Sequence, residues 1–294
     1  MSFFRAGSSL GWCLVGILSL TCTMSRAAEH PSAATGGNAH PLEQTIQFAA
    51  SHSAYFRENI RDYSCRLVKR ERIKGKLQAR QFAEMNVRCA PQRTGGNDRS
   101  LSVFMQFLSP SSIKDRRVLY VADQYDGKVL VRKGGKLAKN IRIKVDPLGA
   151  RARSESKKPI TDIGFDKLLD NLARQAQLDM QLDPTAANTR VSFVPNQNVN
   201  NRACTQIRIE HPNRHERMAF HVASLYMDDE LHMPVRYVIY GWPQRAGDEP
   251  PVNEEYNYID LRLNVGLSDA DFSETLLEGP YRPLTASATN VSRQ

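Results

Sequence analysis

Apolar and polar side chains alternate along most of the chain between residues 63 and 265, and this period of two is typical of half-buried β-strands. A helical period replaces it at 42–60 and at 165–176. Strands and helices do not alternate one for one, so a parallel sheet is not expected. We predict a mainly β (α+β) fold. It is a single large curved antiparallel sheet, a half-open barrel, with two helices packed on its concave face.

The strand predictions follow the alternation and the turn residues between its segments. We expect strands at 63–67, 83–87, 101–108, 118–122, 128–132, 137–145, 190–194, 203–210, 218–227, 234–240 and 255–265. The strand at 101–108 is apolar on both faces, which predicts that it lies inside the sheet and is covered on both sides. Residues 146–160 are rich in Pro, Gly and charged residues and are expected to form a loop.

The N-terminus has the features of a secretion signal. Arg5 precedes an apolar run at 11–21 that is too short to span a membrane, and Ser25 and Ala27 are small, as a signal peptidase requires. The alternatives are an uncleaved anchor and lipidation at Cys22, whose preceding residues fit a lipidation motif poorly. We therefore expect a periplasmic or secreted protein.

The resulting domain division is a signal peptide at 1–27, a disordered tether at 28–40, the antiparallel half-barrel domain at 41–282, and a disordered tail at 283–294.

The net charge of +9 is concentrated in two basic runs, at 66–80 and 132–158. Glu71 is the only acid in the first run. Such runs can bind an anionic membrane surface, and the alternative is a solvated strand face with basic loops. Export argues against a nucleic acid partner, and we expect a monomer.

Three cysteines follow the predicted cleavage site: Cys65, Cys89 and Cys204. An oxidising compartment allows a disulfide, either Cys65–Cys89 across a hairpin or Cys65–Cys204 over a long range. The sequence does not decide between them. We expect no metal, because there is no Cys-x-x-Cys and because His211 and His215 lie on a predicted turn.

The chain contains none of the common catalytic or nucleotide-binding motifs, so we predict no catalytic residues, no cofactor and no enzyme activity. Large apolar side chains on the predicted strands and the second helix are the better candidates for function. They are expected either to form an ordinary core or to line a cavity open to an apolar ligand. The candidate cavity residues are Phe104, Phe107, Tyr120, Leu168, Leu172 and Tyr237.

Several motifs resemble an uncharacterised family of secreted bacterial proteins. They are Asp62-Tyr63-Ser64-Cys65, Phe104-Met105-Gln106-Phe107-Leu108-Ser109-Pro110, Pro159-Ile160-Thr161-Asp162-Ile163-Gly164, Leu231-His232-Met233-Pro234-Val235-Arg236-Tyr237, and Tyr256 to Leu267. This family is distantly similar to the periplasmic lipoprotein carriers and outer-membrane lipoprotein-sorting proteins. The resemblance implies a half-open antiparallel barrel that holds acyl chains in a cavity. A lipid or lipoprotein partner is therefore expected, and an envelope structural or sensory module that binds another protein is the alternative.

Overall fold

A computed structural model describes residues 39–91, 99–136, 141–245 and 247–279. The predicted signal peptide, most of the predicted tether, the predicted tail and the strand prediction at 137–140 lie outside these residues. The described α-helices are α1 (Pro41–Asn59), α2 (Ala150–Glu155) and α3 (Phe165–Leu182). The strands are β1 (Asp62–Ile73), β2 (Lys76–Leu77), β3 (Gln81–Pro91), β4 (Arg99–Ser109), β5 (Arg117–Val121), β6 (Val129–Arg132), β7 (Arg142–Val145), β8 (Arg190–Val199), β9 (Arg202–Glu210), β10 (Val222–Asp228), β11 (Pro234–Tyr240) and β12 (Val252–Leu263).

The strands form one antiparallel sheet whose order is β7-β6-β5-β4-β3-β1-β12-β11-β10-β9-β8, with β2 paired to the end of β1. Each half of the chain is a meander, and the pairing of β1 with β12 joins the first strand to the last. Among the described strands the path ends at β7 on one side and β8 on the other. The predicted fold class is confirmed, with one large antiparallel sheet that does not close.

The helices lie over one face of this sheet. On α1, Phe48 and Phe56 are buried, and on α3 Phe165 and Leu169 are buried, all in the same cluster as sheet residues of β1, β3, β4 and β9 to β12. The ring of Phe165 stacks on Tyr63 of β1 with centroids 4.7 Å apart. The two predicted helices are therefore confirmed as the layer that covers this face.

The start of α1 is fixed by its cap. The backbone N–H of Leu42 donates to Nδ1 of His40, and Glu43 reaches back to the backbone N–H of His40 in a capping box. The other ring nitrogen of His40 lies 2.9 Å from the carbonyl oxygen of Asp183, which follows α3. His40, the last residue of the predicted tether, thus links the ends of the two long helices.

The opposite face of the sheet carries a smaller cluster. Phe104 of β4 and Leu119 of β5 pack with Phe272 and Leu277, which belong to two 3₁₀ turns after β12. Because Met105 faces the helices and Phe104 faces these turns, β4 is covered on both sides, as predicted.

Some predicted boundaries are wrong. The strand prediction at 218–227 fails at its start, since β10 begins at Val222 while Met218 and Phe220 are buried in irregular chain. Their alternation reflects burial rather than strand structure. The connection between the strands predicted at 190–194 and 203–210 is shorter than expected: β8 continues to Val199, and the chain reverses at Asn200 and Asn201, which both have positive φ. The predicted loop at 146–160 contains α2.

Candidate functional site

A cavity of about 210 Å³ lies between the helix-covered face of the sheet and residues 146–164, which we call the strap. The strap runs from β7 to α3 and includes α2. The apolar lining comes from both sides: Leu67, Met85, Met105, Phe107, Val118, Val129, Val131, Ile143, Val145, Pro147, Ala152, Pro159, Ile160, Ile163 and Leu168. The cavity is therefore suited to an apolar ligand.

The curvature of the sheet creates this cavity. In a flat sheet, β7 and β11 would be about 34 Å apart, since seven steps of about 4.8 Å separate them. Ile143 of β7 and Tyr237 of β11 nevertheless line the same small space. The sheet is thus strongly curled, and the strap closes part of the opening that the curl leaves.

One buried carboxylate attaches the strap to the sheet. Glu71 of β1 is only 3% exposed, and it accepts hydrogen bonds from Nζ of Lys69 at 3.0 Å, from the hydroxyl of Ser156 and the backbone N–H of Lys157 at 3.2 Å each, and from the hydroxyl of Tyr256. Burial alone would raise the pKa of Glu71, but the Lys69 charge and the hydrogen bonds lower it below its ordinary value. Glu71 is therefore an ionised anchor for the segment that follows α2.

Two ion pairs add to this attachment. Arg116, just before β5, pairs with Glu155 at the end of α2. Lys157 pairs with Glu254 of β12, with Nζ and Oε1 2.9 Å apart. Both pairs are partly exposed, so each contributes little stability on its own. Together with Glu71 they fix the C-terminal half of the strap over the sheet.

Three tyrosines of β11 and β12 stand beside this anchor and line the cavity: Tyr237, Tyr256 and Tyr258. Burial raises the pKa of each hydroxyl, so all three are neutral. The rings of Tyr237 and Tyr256 stack with centroids 4.6 Å apart. The Tyr256 hydroxyl donates to Glu71, whereas the buried Tyr237 hydroxyl makes only a weak contact with the Tyr256 hydroxyl and no close hydrogen bond among the described residues.

The candidate cavity residues from the sequence fall into three groups. Phe107, Leu168 and Tyr237 line the cavity. Tyr120 and Leu172 pack against the same core cluster without lining it. Phe104 lies on the other face, opposite Leu119 in the register of β4 and β5.

Met85, Met105 and the apolar side chains of the strap also line the cavity, and they were not among the predicted cavity residues. Met85 and Met105 sit opposite each other in the register of β3 and β4, so their positions in the alternation predicted a shared face. Their contact with the strap had no local signal, because it depends on the curl of the sheet.

The cysteine predictions are corrected by the register. Cys65 lies opposite Met85, and Cys89 is four residues farther along β3, about 13 Å away. A disulfide needs Cα atoms within about 7 Å, so this pair cannot bridge. Cys204 lies on β9, in a separate cluster from Cys65. The structure has all three as buried thiols. Burial raises the pKa of the Cys65 thiol, and burial with Asp228 and Asp229 raises that of Cys204 to about 11.

The basic run at 66–80 is largely engaged in contacts within the fold. Lys69 pairs with Glu71, Arg80 pairs with Glu255, and Arg66 lies 3.8 Å from Asp260. Arg70 and Arg72 donate to backbone carbonyls. These contacts favour the solvated strand face over a free basic surface for this run.

His211 lies inside the fold, where its contacts are with other residues of the protein. It is fully buried, and its Nε2 lies 3.1 Å from Oδ2 of Asp179 on α3. Its backbone carbonyl accepts from His221 and from the indole of Trp242. His215 is exposed and apart from it. Across the described ranges, no cluster of three or more His, Cys, Asp or Glu side chains could hold a metal ion.

Within the described part of the chain, no helix has the length and apolar character needed to cross a membrane.

A family model matches residues 60–278, which cover most of the chain, and its description is "Protein of unknown function (DUF1571)". The chain belongs to this family. The prediction of an uncharacterised family from the sequence motifs is thereby confirmed, and the match covers the sheet from β1 to the last 3₁₀ turn. No curated protein matches the chain.

Three solved structures are similar to the DUF1571 chain. A DUF1329 family protein from Desulfovibrio piger is 13% identical, with a TM-score of 0.39 and coverage of 82% of this chain and 100% of the other. A domain from Vibrio parahaemolyticus assigned to the outer membrane lipoprotein-sorting proteins is 12% identical, with a TM-score of 0.36 and coverage of 80% and 99%. A LolA superfamily protein from Nitrosomonas europaea is 11% identical, with a TM-score of 0.31 and coverage of 79% and 98%. At such low identity, the functional argument rests on the cavity itself.

Proposed function

We propose that this protein binds an acyl chain in the cavity between the curled sheet and the strap, as a non-enzymatic carrier or receptor of a lipid or acylated protein. The observation that carries the proposal is the cavity of about 210 Å³ with its apolar lining. An acyl chain brings no polar groups that would have to be satisfied along the apolar part of this lining.

The size of the cavity favours part of one acyl chain over a whole lipid. Pockets that enclose a complete drug-sized ligand are about 300–1,000 Å³, and this cavity is smaller. Each methylene transferred from water contributes about 0.8 kcal/mol, so a short buried segment gives useful affinity without any covalent chemistry.

The proposed setting is the bacterial envelope, where acyl chains of lipids and lipoproteins are available. This part of the proposal rests on the signal-peptide pattern at 1–27, which lies outside the described residues. Mass spectrometry of the N-terminus after expression in a bacterial host would test it, since cleavage after Ala27 or Ala28 is expected.

A matched pair of variants on α3 tests the binding site. Leu168 lines the cavity, whereas Leu178 is 47% exposed on the same helix. Leu168→Trp places an indole in the space for the ligand, while Leu178→Trp adds the same ring in solvent. Calorimetric titration with dodecanol, below its aggregation limit, should show binding to the wild type and to Leu178→Trp, with at least about a tenfold loss in Leu168→Trp.

The alternative of a protein-interaction module without a lipid makes the opposite prediction. In that case native mass spectrometry of freshly purified protein would show no acyl adduct. The dodecanol titrations of Leu168→Trp and Leu178→Trp would not differ from that of the wild type. That outcome would reject the proposed function.

A further inference from the structure

We infer that the acyl chain bound in this cavity ends in an anionic oxygen head group, a carboxylate or a phosphate, which Lys158 and Tyr237 recognise. The inference rests on the proposed function and adds the chemistry of the ligand's polar end.

The charged side chains that line the cavity are predominantly positive. Lys69 and Arg116 are already neutralised, since they pair with Glu71 and Glu155. Lys133 and Arg151 also line the cavity, and neither forms an ion pair with a described residue. The described acids that line the cavity are Glu155, which pairs with Arg116, and Asp162, so an excess of positive charge faces the space.

Lys158 is a lining cation that has only a long ion pair and lies beside Tyr237. It shares Glu254 with Lys157, but the two distances differ: Nζ of Lys157 is 2.9 Å from Oε1, whereas Nζ of Lys158 is 3.9 Å from Oε2. Glu254 therefore neutralises Lys157 first. The ammonium of Lys158 lies 5.4 Å from the centroid of the Tyr237 ring, so it also has a weak cation–π contact.

The Tyr237 hydroxyl supplies an independent observation. Tyr237 is 5% exposed and lines the cavity, and its hydroxyl makes only a weak contact with the Tyr256 hydroxyl and no close hydrogen bond among the described residues. A buried donor without a close acceptor is unfavourable, and a ligand oxygen would satisfy it better. Lys158 and Tyr237 thus offer a cation and a neutral donor on neighbouring side chains of the cavity lining. A carboxylate or phosphate oxygen accepts from both.

Head-group chemistry can be tested with ligands that share one chain: dodecanoate, dodecyl phosphate, dodecanol and dodecyltrimethylammonium, each titrated calorimetrically into the full chain. We expect both anions to bind at least about tenfold more tightly than dodecanol, because hydrogen bonds to a charged group are the stronger kind. The cation should bind most weakly. The advantage of the anions should shrink in high salt. The ratio between the two anions then distinguishes a fatty-acid carboxylate from a phospholipid phosphate.

Two variants assign the effect to this site, and a third serves as a control. Lys158→Gln should reduce the preference for anions over dodecanol to less than about threefold. Tyr237→Phe should weaken anion binding with little change in the melting temperature, because the hydroxyl that it removes makes only a weak contact with Tyr256 in the free protein. Lys144→Gln is the control: Lys144 is exposed on β7 between Ile143 and Val145, which line the cavity, so it projects from the other face.

The possible results separate the two proposals. If dodecanol binds as tightly as dodecanoate, the head-group inference is wrong while the acyl-chain function stands. If Lys158→Gln and Lys144→Gln weaken anion binding equally, overall charge and not this site is responsible, and the inference is again wrong. If none of the four ligands binds, the proposed function fails and the inference fails with it.

Discussion

The carboxylate of Glu71 on β1 accepts a hydrogen bond of 3.2 Å from the backbone N–H of Lys157 in the strap. The two residues are 86 positions apart in the sequence. This bond joins the middle of the sheet to the segment that covers the cavity. The same carboxylate pairs with Lys69, so one buried acid both neutralises a buried cation and positions the strap.

Glu71→Gln is expected to destabilise the protein by about 3 kcal/mol, since removal of one partner leaves the charge of Lys69 buried and unpaired. Urea denaturation followed by circular dichroism measures this loss. Glu58→Gln, at an exposed position on α1, is the control and should change the free energy of unfolding by less than about 0.5 kcal/mol. Equal stabilities of the two variants would show that Glu71 is not an anchor.

The contribution of Glu71 should depend on pH in a defined direction. Its pKa in the folded state is lowered from the ordinary value of 4.5, so its ionised form stabilises the fold above that pH. The stability difference between the wild type and Glu71→Gln should be full near neutral pH. It should shrink as the pH falls below about 4.5 and through the folded-state pKa. A difference that stays constant from pH 7 to pH 3 would contradict the lowered pKa.

Two adjacent tyrosines should respond differently to removal of a hydroxyl. Tyr256→Phe loses the hydrogen bond to the charged Glu71 and should cost about 2 kcal/mol. Tyr237→Phe removes a hydroxyl that makes only a weak contact with Tyr256 and should change the stability by less than about 1 kcal/mol. Thermal and urea unfolding of both variants check this. A loss of similar size in Tyr237→Phe would mean that its hydroxyl is bonded in the free protein.

His211→Ala is expected to cost about 3 kcal/mol, because it leaves the buried carboxylate of Asp179 without its histidine partner and opens a cavity beside Phe220. His215→Ala is the matched control on the same segment, and its exposed side chain should be dispensable to within about 0.5 kcal/mol. Equal free energies of unfolding for the two variants would show that the His211–Asp179 contact does not stabilise the fold.

The secondary structure was predictable wherever a local pattern decided it. The helical period predicted α1 and α3, and alternation predicted most strands, because burial on one face constrains every second residue. Met218 and Phe220 misled the prediction, since an irregular segment can bury alternate side chains as a strand does.

The site was predictable only in part. Phe107, Leu168 and Tyr237 were identified as apolar side chains on regular elements, but the same reasoning included Phe104, which the pleat places on the other face. Glu71 was visible as the single acid in a basic run. Its role could not be inferred from that, because its partners Ser156 and Lys157 reach it only through the curl of the sheet.

Photocrosslinking with a dodecanoate analogue that carries a diazirine near the end of its chain tests the central claim most directly. Peptide mapping should place the label on cavity residues such as Met105, Val131 or Leu168, and Leu168→Trp should suppress it. Absence of labelling, or labelling of the opposite cluster around Phe104 and Leu119, would contradict an acyl-chain site between the sheet and the strap.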